Sequence, residues 1–377
     1  MVRFAGEFVV TLPALDLLLL PLREPERLGS LTPGQWDLLV RQGRRADVLA
    51  RVAERIEAAG RWAEVPPEVA RHLQSMRLLA QRQHEELRHE TAQLLRVFES
   101  AGLPLVLLKG AAYVLQELRV GEGRMVSDID ILVPRERLAD VESALMLSGW
   151  VSTNNNPYDQ RYYRTWMHEL PPMRHLRRGT VLDVHHALVP LSGRLRADPS
   201  SMLADIRPIP GHPGVHALSP TDMVLHSAAH LYAEGELELG CRGLLDIELL
   251  VLEFAQDADF WPALTRRADA LQWERPLAQA LVYLDELLRT PLPPEVRDWA
   301  RQAHRRLAPG WRGRLLDAMY HRALRPDHGS LSDRWTALAR AGLYVRGHWL
   351  RMPPWLLAGH LARKALMAAR APKPKEA

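Results

Sequence analysis

Apolar residues recur at spacings near three and four over the first third of the chain and again from residue 219 onward. Between them the texture changes to short apolar runs separated by mixed stretches. Leu38, Leu39, Leu49, Val52 and Ile56, set among Arg and Glu, predict helix within residues 31–100, punctuated by Gly60 and the Pro66-Pro67 pair. A second helix is expected from Pro67 to Ser100, with Leu73, Leu78, Leu87, Leu94, Leu95 and Phe98 on its apolar side. The run Leu103–Leu108 then reads as a buried strand that ends in a turn at Lys109-Gly110. Ala111–Leu118 fits a short helix. Ser127–Val133 fits a strand with Ile129, Ile131 and Val133 on one face and Asp128 and Asp130 on the other. Arg135–Ser148 reads as a helix stopped by Gly149, and Val181–Val189 as another strand.

Ser219-Pro220-Thr221-Asp222 combines an N-cap serine, proline at the first helical position and an acid in the first turn. Helices are expected over 220–234, 241–255, 260–271, 276–289 and 294–307, with Asp259 as N-cap of the third, and further helix over 310–370. The pattern divides into an N-terminal helical region (1–100), a strand-helix unit (101–215), a helical domain (216–308) and a helical tail (309–377). The fold class is therefore α+β, with a small mixed sheet flanked by helices.

Composition is that of an ordinary globular protein, 47% hydrophobic and 25% charged, which excludes a disordered or collagenous chain. The single cysteine, Cys241, excludes an intrachain disulfide and a cysteine metal cage, and suits a reducing, cytoplasmic setting. The run Leu17–Leu20 is broken by flanking Pro13, Asp16 and Pro21, so neither a signal peptide nor a transmembrane helix is expected. Charge is uneven. Residues 301–377 hold 16 Lys and Arg against 4 Asp and Glu, whereas the first 300 hold 33 against 41. Lysine is scarce, and Lys109 is the only one before Lys364. In so arginine-rich a chain, that makes the Lys-Gly turn informative.

Asp128 and Asp130, at i and i+2 of a strand, share a face. Two neighbouring carboxylates on an apolar strand repel, and a shared cation is the usual resolution; Mg²⁺ is bound by one or two carboxylates together with substrate phosphates. A third acid, Asp183, stands on a second apolar strand, Val181–Val189. Three carboxylates on neighbouring strands can build a two-metal site for in-line displacement. The plainer alternative is that they face solvent, or that one pairs with Arg124. Gly110 would let the backbone approach a phosphate, and Lys109 would neutralise its charge.

Leu107-Leu108-Lys109-Gly110, Arg124, Ser127-Asp128-Ile129-Asp130-Ile131-Leu132-Val133 and Asp183-Val184-His185-His186 resemble the bacterial uncharacterised nucleotidyltransferase family, within the polymerase-β-like nucleotidyltransferase superfamily. His226, His230, Arg242, Asp246 and Leu350-Arg351-Met352-Pro353-Pro354 extend the resemblance to about residues 35–366. The turn departs from the superfamily, since Ala111 follows Gly110 where a serine or glycine is usual. The resemblance implies a polymerase-β-like core and an NTP, such as ATP, as substrate. Two Mg²⁺ or Mn²⁺ ions would be held by Asp128, Asp130 and Asp183, with Asp183 also helping to activate the acceptor as general base. Lys109, Gly110, Arg124 and Ser127 are the implied nucleotide and phosphate contacts. A nucleoside monophosphate would pass to an acceptor hydroxyl on a small molecule, peptide, protein or RNA end, with release of pyrophosphate. A catalytically silent binding or regulatory module and a γ-phosphate phosphotransferase are the competing readings.

His185, His226, His230, Arg242 and Asp246 are candidates on the substrate side. His226 and His230, at i and i+4, mimic half a zinc motif, but Ser227 stands where its glutamate would be. Arg242 and Asp246 have the spacing of a plain surface pair. The basic tail, with Trp311, Trp335, Trp349 and Trp355, suits four roles: packing on the acidic body, contact with a membrane surface, contact with nucleic acid, or docking of an acidic peptide or partner.

Overall fold

The alternating stretch between residues 101 and 217 forms one seven-stranded sheet. The protein is described here by a computed structural model, which covers residues 2–3, 9–10, 15–154, 156–195, 199–233 and 237–352. After a short antiparallel pair, β1 (Val2–Arg3) and β2 (Val9–Val10), come the sheet strands. These are β3 (Leu105–Leu107), β4 (Ile129–Leu132), β5 (Trp150–Ser152), β6 (Met173–His175), β7 (Val181–His185), β8 (Arg207–Pro208) and β9 (Val215–Ala217). Their spatial order is β5-β6-β7-β4-β3-β9-β8, with β4–β7 and β3–β9 parallel and the other pairs antiparallel. Strands β3 and β4 are buried along their whole length, which is why they read as continuous apolar runs. The strand expected over Ser127–Val133 is shorter, so Asp128 lies just before β4. The one expected to reach Val189 ends at His185.

Among the described residues, four α-helices precede the sheet: α1 (Asp16–Arg23), α2 (Pro33–Ala46), α3 (Leu49–Ala58) and α4 (Pro67–Ser100). The last has the bounds expected from the sequence, but Leu78 is 65% exposed and does not belong to its buried side. Thr32 begins α2 with a reciprocal capping box, in which its hydroxyl accepts from the Gln35 backbone and the Gln35 side chain accepts from the Thr32 backbone. Thr32→Ala should cost about 1 kcal/mol, read as a lower denaturant midpoint at unchanged slope.

Within the sheet unit lie α5 (Lys109–Leu115), α6 (Leu138–Leu147), α7 (Pro157–Trp166) and α8 (Pro199–Leu203). Then follow α9 (Pro220–Ala233), α10 (Gly240–Phe254), α11 (Phe260–Ala270), α12 (Glu274–Tyr283), α13 (Pro294–Leu307), α14 (Gly310–Ala323) and α15 (Thr336–Arg351). Asp259 makes no side-chain cap to α11; its own N–H is bound by Asp257 instead. Asp222 forms a two-bond ion pair with Arg267, tying α9 to α11. One hydrophobic core runs from β3, β4 and β7 through α9, α10 and α12, and a second cluster joins α2, α3 and α4 around Trp36, Leu39, Ile56 and Leu73.

The basic tail pairs with the body at Arg301–Asp285 and Arg306–Glu274. Its tryptophans do not pack there as a group, since Trp311, Trp335 and Trp349 are 63%, 50% and 43% exposed. Trp355, Pro353, Pro354 and the helix expected to residue 370 lie outside the described residues. No helix among the described residues is long and apolar enough to cross a membrane.

Candidate active site

Parallel pairing of β4 with β7 sets Asp130 directly beside Asp183 on neighbouring strands. Asp128 precedes Asp130 by two residues. Asp130 is buried, and its Oδ1 accepts from Lys109 Nζ at 3.0 Å and from His185 Nε2 at 2.8 Å. Burial alone would raise Asp130, but Lys109 and His185 hold its carboxyl well below the ordinary range. His185 is raised in turn: its burial opposes the charge, and the Asp130 hydrogen bond overcomes it. Lys109 is thus engaged by a carboxylate in this arrangement, where the sequence suggested a phosphate. Its backbone has φ +45°, a left-handed conformation rare outside glycine and costing of order 1 kcal/mol.

Asp128 and Asp183 form no such salt bridge among the described residues. Burial and the Asp130 charge raise Asp128, whose Oδ1 accepts from Ser127 at 3.2 Å. Asp183 is pushed up to about 7 by burial, then by Asp130, Glu169 and Asp128, and its Oδ1 is buried with no hydrogen-bond partner among the described residues. Among the described residues, Asp128, Asp130, Asp183 and Glu169 thus crowd around Lys109 and His185. An orphaned, buried carboxylate oxygen inside such a crowd fits a divalent cation, and all-oxygen donors fit Mg²⁺ or Mn²⁺.

Glu169 was not singled out from the sequence. A single bridge carries it to His185, where its Oε2 lies 3.5 Å from His185 Nε2 and 3.8 Å from His168 Nε2. His168, Glu169 and His185 offer ligand atoms within 4.8 Å of one another, an arrangement that could hold a metal ion. No spacing signal connects 168–169 with 185; only the fold of the segment before β6 brings them together.

A cleft of about 250 Å³ opens between the sheet unit and helices α9 and α10. Lys109, Gly110, Arg124, Ser127, Asp128 and Asp130 line one wall. His230, Arg242 and Asp246 line the other, with Ser227. Asp183, His185 and His226 are not among the described lining residues. His226 is buried and lowered by that burial, and then by Lys109, so it is a neutral ring packed 6.4 Å from His230. Ser227, standing where a zinc motif has its glutamate, hydrogen-bonds the Tyr113 hydroxyl at 2.7 Å.

Arg242 and Asp246 do not form the surface pair expected from their spacing. Asp246 is buried and accepts from Arg124 Nε at 2.9 Å and from Arg51 Nη2 at 2.8 Å, while Arg242 turns to Asp47. The two buried arginines hold Asp246 in place of the helical neighbour: among the described residues it is the carboxylate that forms a salt bridge with each of them. Arg51 also donates to the Val120 carbonyl at 2.8 Å. The loop reaches it because Gly123, at φ +59°, has no side chain; a Cβ there would lie 2.6 Å from the Arg51 backbone. His84 donates to the Arg124 carbonyl at 2.7 Å, and Gln83 accepts from the Val126 N–H at 3.0 Å, so α4 fixes the same loop. Arg124 then lies over Gly110, where a Cβ would come within 2.2 Å of its guanidinium. A side chain at 110 would thus displace the Arg124 guanidinium as well as obstruct a phosphate approach.

No curated protein and no solved structure matches this chain. A family described as uncharacterised nucleotidyltransferase matches residues 32–289, which takes in α2, α3 and α4, the whole seven-stranded sheet and the helices that close the cleft, but not α1. The element Leu350–Pro354 falls beyond that match. With two thirds of its length so matched, the chain belongs to the uncharacterised nucleotidyltransferase family.

Proposed function

We propose that the protein is a divalent-metal-dependent nucleotidyltransferase that transfers a nucleoside monophosphate from an NTP to an acceptor hydroxyl. Family membership supports nucleotidyl transfer in general. The observation that carries the finer reading is the buried, unpartnered Asp183 oxygen beside Asp130 and Asp128. Asp128 and Asp183, with Asp130, would hold the metal, whose charge stabilises that developing on the phosphates. Asp183 would also take the acceptor's proton, the role that the family resemblance implies for it. The acceptor oxygen bonds to the α-phosphorus, the bond from that phosphorus to the β-phosphate bridge breaks, and pyrophosphate leaves. Arg124, held over Gly110 by Asp246, faces the cleft as a fixed positive charge for those phosphates. Lys109 balances Asp130 and sets the carboxylate's position.

The test uses purified protein, Mg²⁺ or Mn²⁺, cell extract as acceptor source and NTPs labelled at the α or the γ phosphate. We expect α-label in an acceptor, γ-label in pyrophosphate, and complete loss of both with EDTA. Transfer of γ-label to the acceptor would make the protein a phosphotransferase. No transfer with either label and either metal would leave a nucleotide-binding or regulatory module.

A further inference from the structure

A second cavity, of about 210 Å³, adjoins the cleft. The two share Val126, Ser127 and Asp128, but different elements complete them. Helix α4 and the turn between β6 and β7 wall the second, where α5, α9 and α10 wall the first. Val181 lines the second cavity, and Val181 and Asp183 are alternate residues on the half-buried face of β7. The acids are thus approached from the α9 side by the cleft and from the α4 side by this cavity. An in-line displacement needs two such approaches, because the acceptor oxygen enters opposite the leaving pyrophosphate.

The charges of the two cavities differ. In the cleft, Lys109, Arg124 and Arg242 stand against three carboxylates, Asp128, Asp130 and Asp246. Among the described residues lining the second cavity, Glu86, Glu90 and Asp128 stand against Arg178 alone. Glu86 is exposed and pairs with Arg82 at 3.1 Å, a surface contact that neutralises little of its charge. Glu90 is 3% exposed. Arg178 engages its Oε1, but its Oε2 is buried with no hydrogen-bond partner among the described residues. A buried carboxylate oxygen without a donor is costly, and here it points to a donor that a ligand brings.

We propose that this cavity is the acceptor subsite, and that the acceptor is an alcohol carrying a protonated amine. The inference rests on the nucleotidyl-transfer reading. The ammonium group donates to Glu90 Oε2, and Glu86 adds negative charge on the solvent side. Leu87, Val126 and Val181 in the wall suit a short carbon spacer. The hydroxyl faces Asp128 and Asp183. Its oxygen bonds to the α-phosphorus, its proton passes to Asp183, and the bond to the β-phosphate bridge breaks as pyrophosphate leaves. The amine stays protonated, so it does not compete as a nucleophile.

The probe is 4-amino-1-butanol, with 1,4-butanediol as an uncharged control of the same length. Calorimetric titration of the full chain, with Mg²⁺ and no nucleotide, should show saturable binding at least tenfold tighter for the amino alcohol. Glu90→Gln should erase most of that preference. Glu86→Gln, at an exposed position, should reduce it about threefold with an unchanged melting temperature. Mg²⁺ with a non-hydrolysable NTP should not displace the amino alcohol. With α-labelled NTP, label should appear on the amino alcohol and fall on the acceptor in cell extract. Equal affinity for the diol, a preference unchanged in both variants, or displacement by the NTP analogue would overturn the subsite, even while extract is still labelled. Label on neither extract nor probe would refute the transfer reading, and the acceptor role with it.

Discussion

Asp183→Asn should abolish nucleotidyl transfer while leaving the fold intact or more stable. Asparagine is nearly the same size, and Asp183 Oδ1 has no described hydrogen bond to lose. What disappears is a charge crowded by Asp130, Glu169 and Asp128, so the melting temperature should hold or rise. Losing both a metal-holding carboxylate and a proton acceptor should lower the rate by about 10²–10⁴-fold. Asp128→Asn should behave alike in rate. Asp130→Asn is the contrast, because it removes the common partner of Lys109 and His185 and should lower activity and stability together. Labelled-NTP transfer and thermal melts on the three variants separate these roles. Wild-type transfer in Asp128→Asn and Asp183→Asn would sink the metal assignment, and a large stability loss in Asp183→Asn would make that residue structural.

Much of this arrangement is legible before any coordinates. The i, i+2 spacing predicts Asp128 and Asp130 together, and both line the cleft although Asp128 lies just before β4; the apolar run around Asp183 marks a second strand. The helices from Pro220 to Leu307 show their periodicity with boundaries a few residues off. What the pattern cannot carry is register between distant strands and the choice among competing charge partners. Asp130 lies opposite Asp183 only because β4 and β7 pair in parallel at that register. Glu169 reaches His185 through one isolated bridge, which leaves no trace in local periodicity. Arg242 and Asp246 have the right spacing to pair, yet burial of Arg51 and Arg124 redirects Asp246 across three elements. Helix α7 leaves no aliphatic pattern to read, because the stripe it packs is aromatic, Tyr158, Tyr162 and Trp166, set among polar residues.

That redirected carboxylate carries the largest stability effect we expect. Asp246→Ala would leave Arg51 and Arg124 buried with no carboxylate between them, and breaking a buried pair in this way costs about 3–5 kcal/mol. The damage should also reach the cleft. Arg124 lies over Gly110 only while Asp246 holds its Nε, so transfer should fall even under conditions where the variant is still folded. Acid provides an independent check. Burial would raise Asp246, but Arg124 and then Arg51 hold it below the ordinary carboxylate value. A depressed carboxyl stabilises the fold above its unfolded pKa, about 3.9, and that contribution is lost as pH falls through the lower folded value. Denaturant melts from pH 7 downward should show wild type losing this share of stability in acid, and Asp246→Asn lacking it throughout. The two curves should therefore converge at low pH. Parallel curves with a constant gap would mean that Asp246 acts through shape rather than charge, and Arg124 would need another anchor.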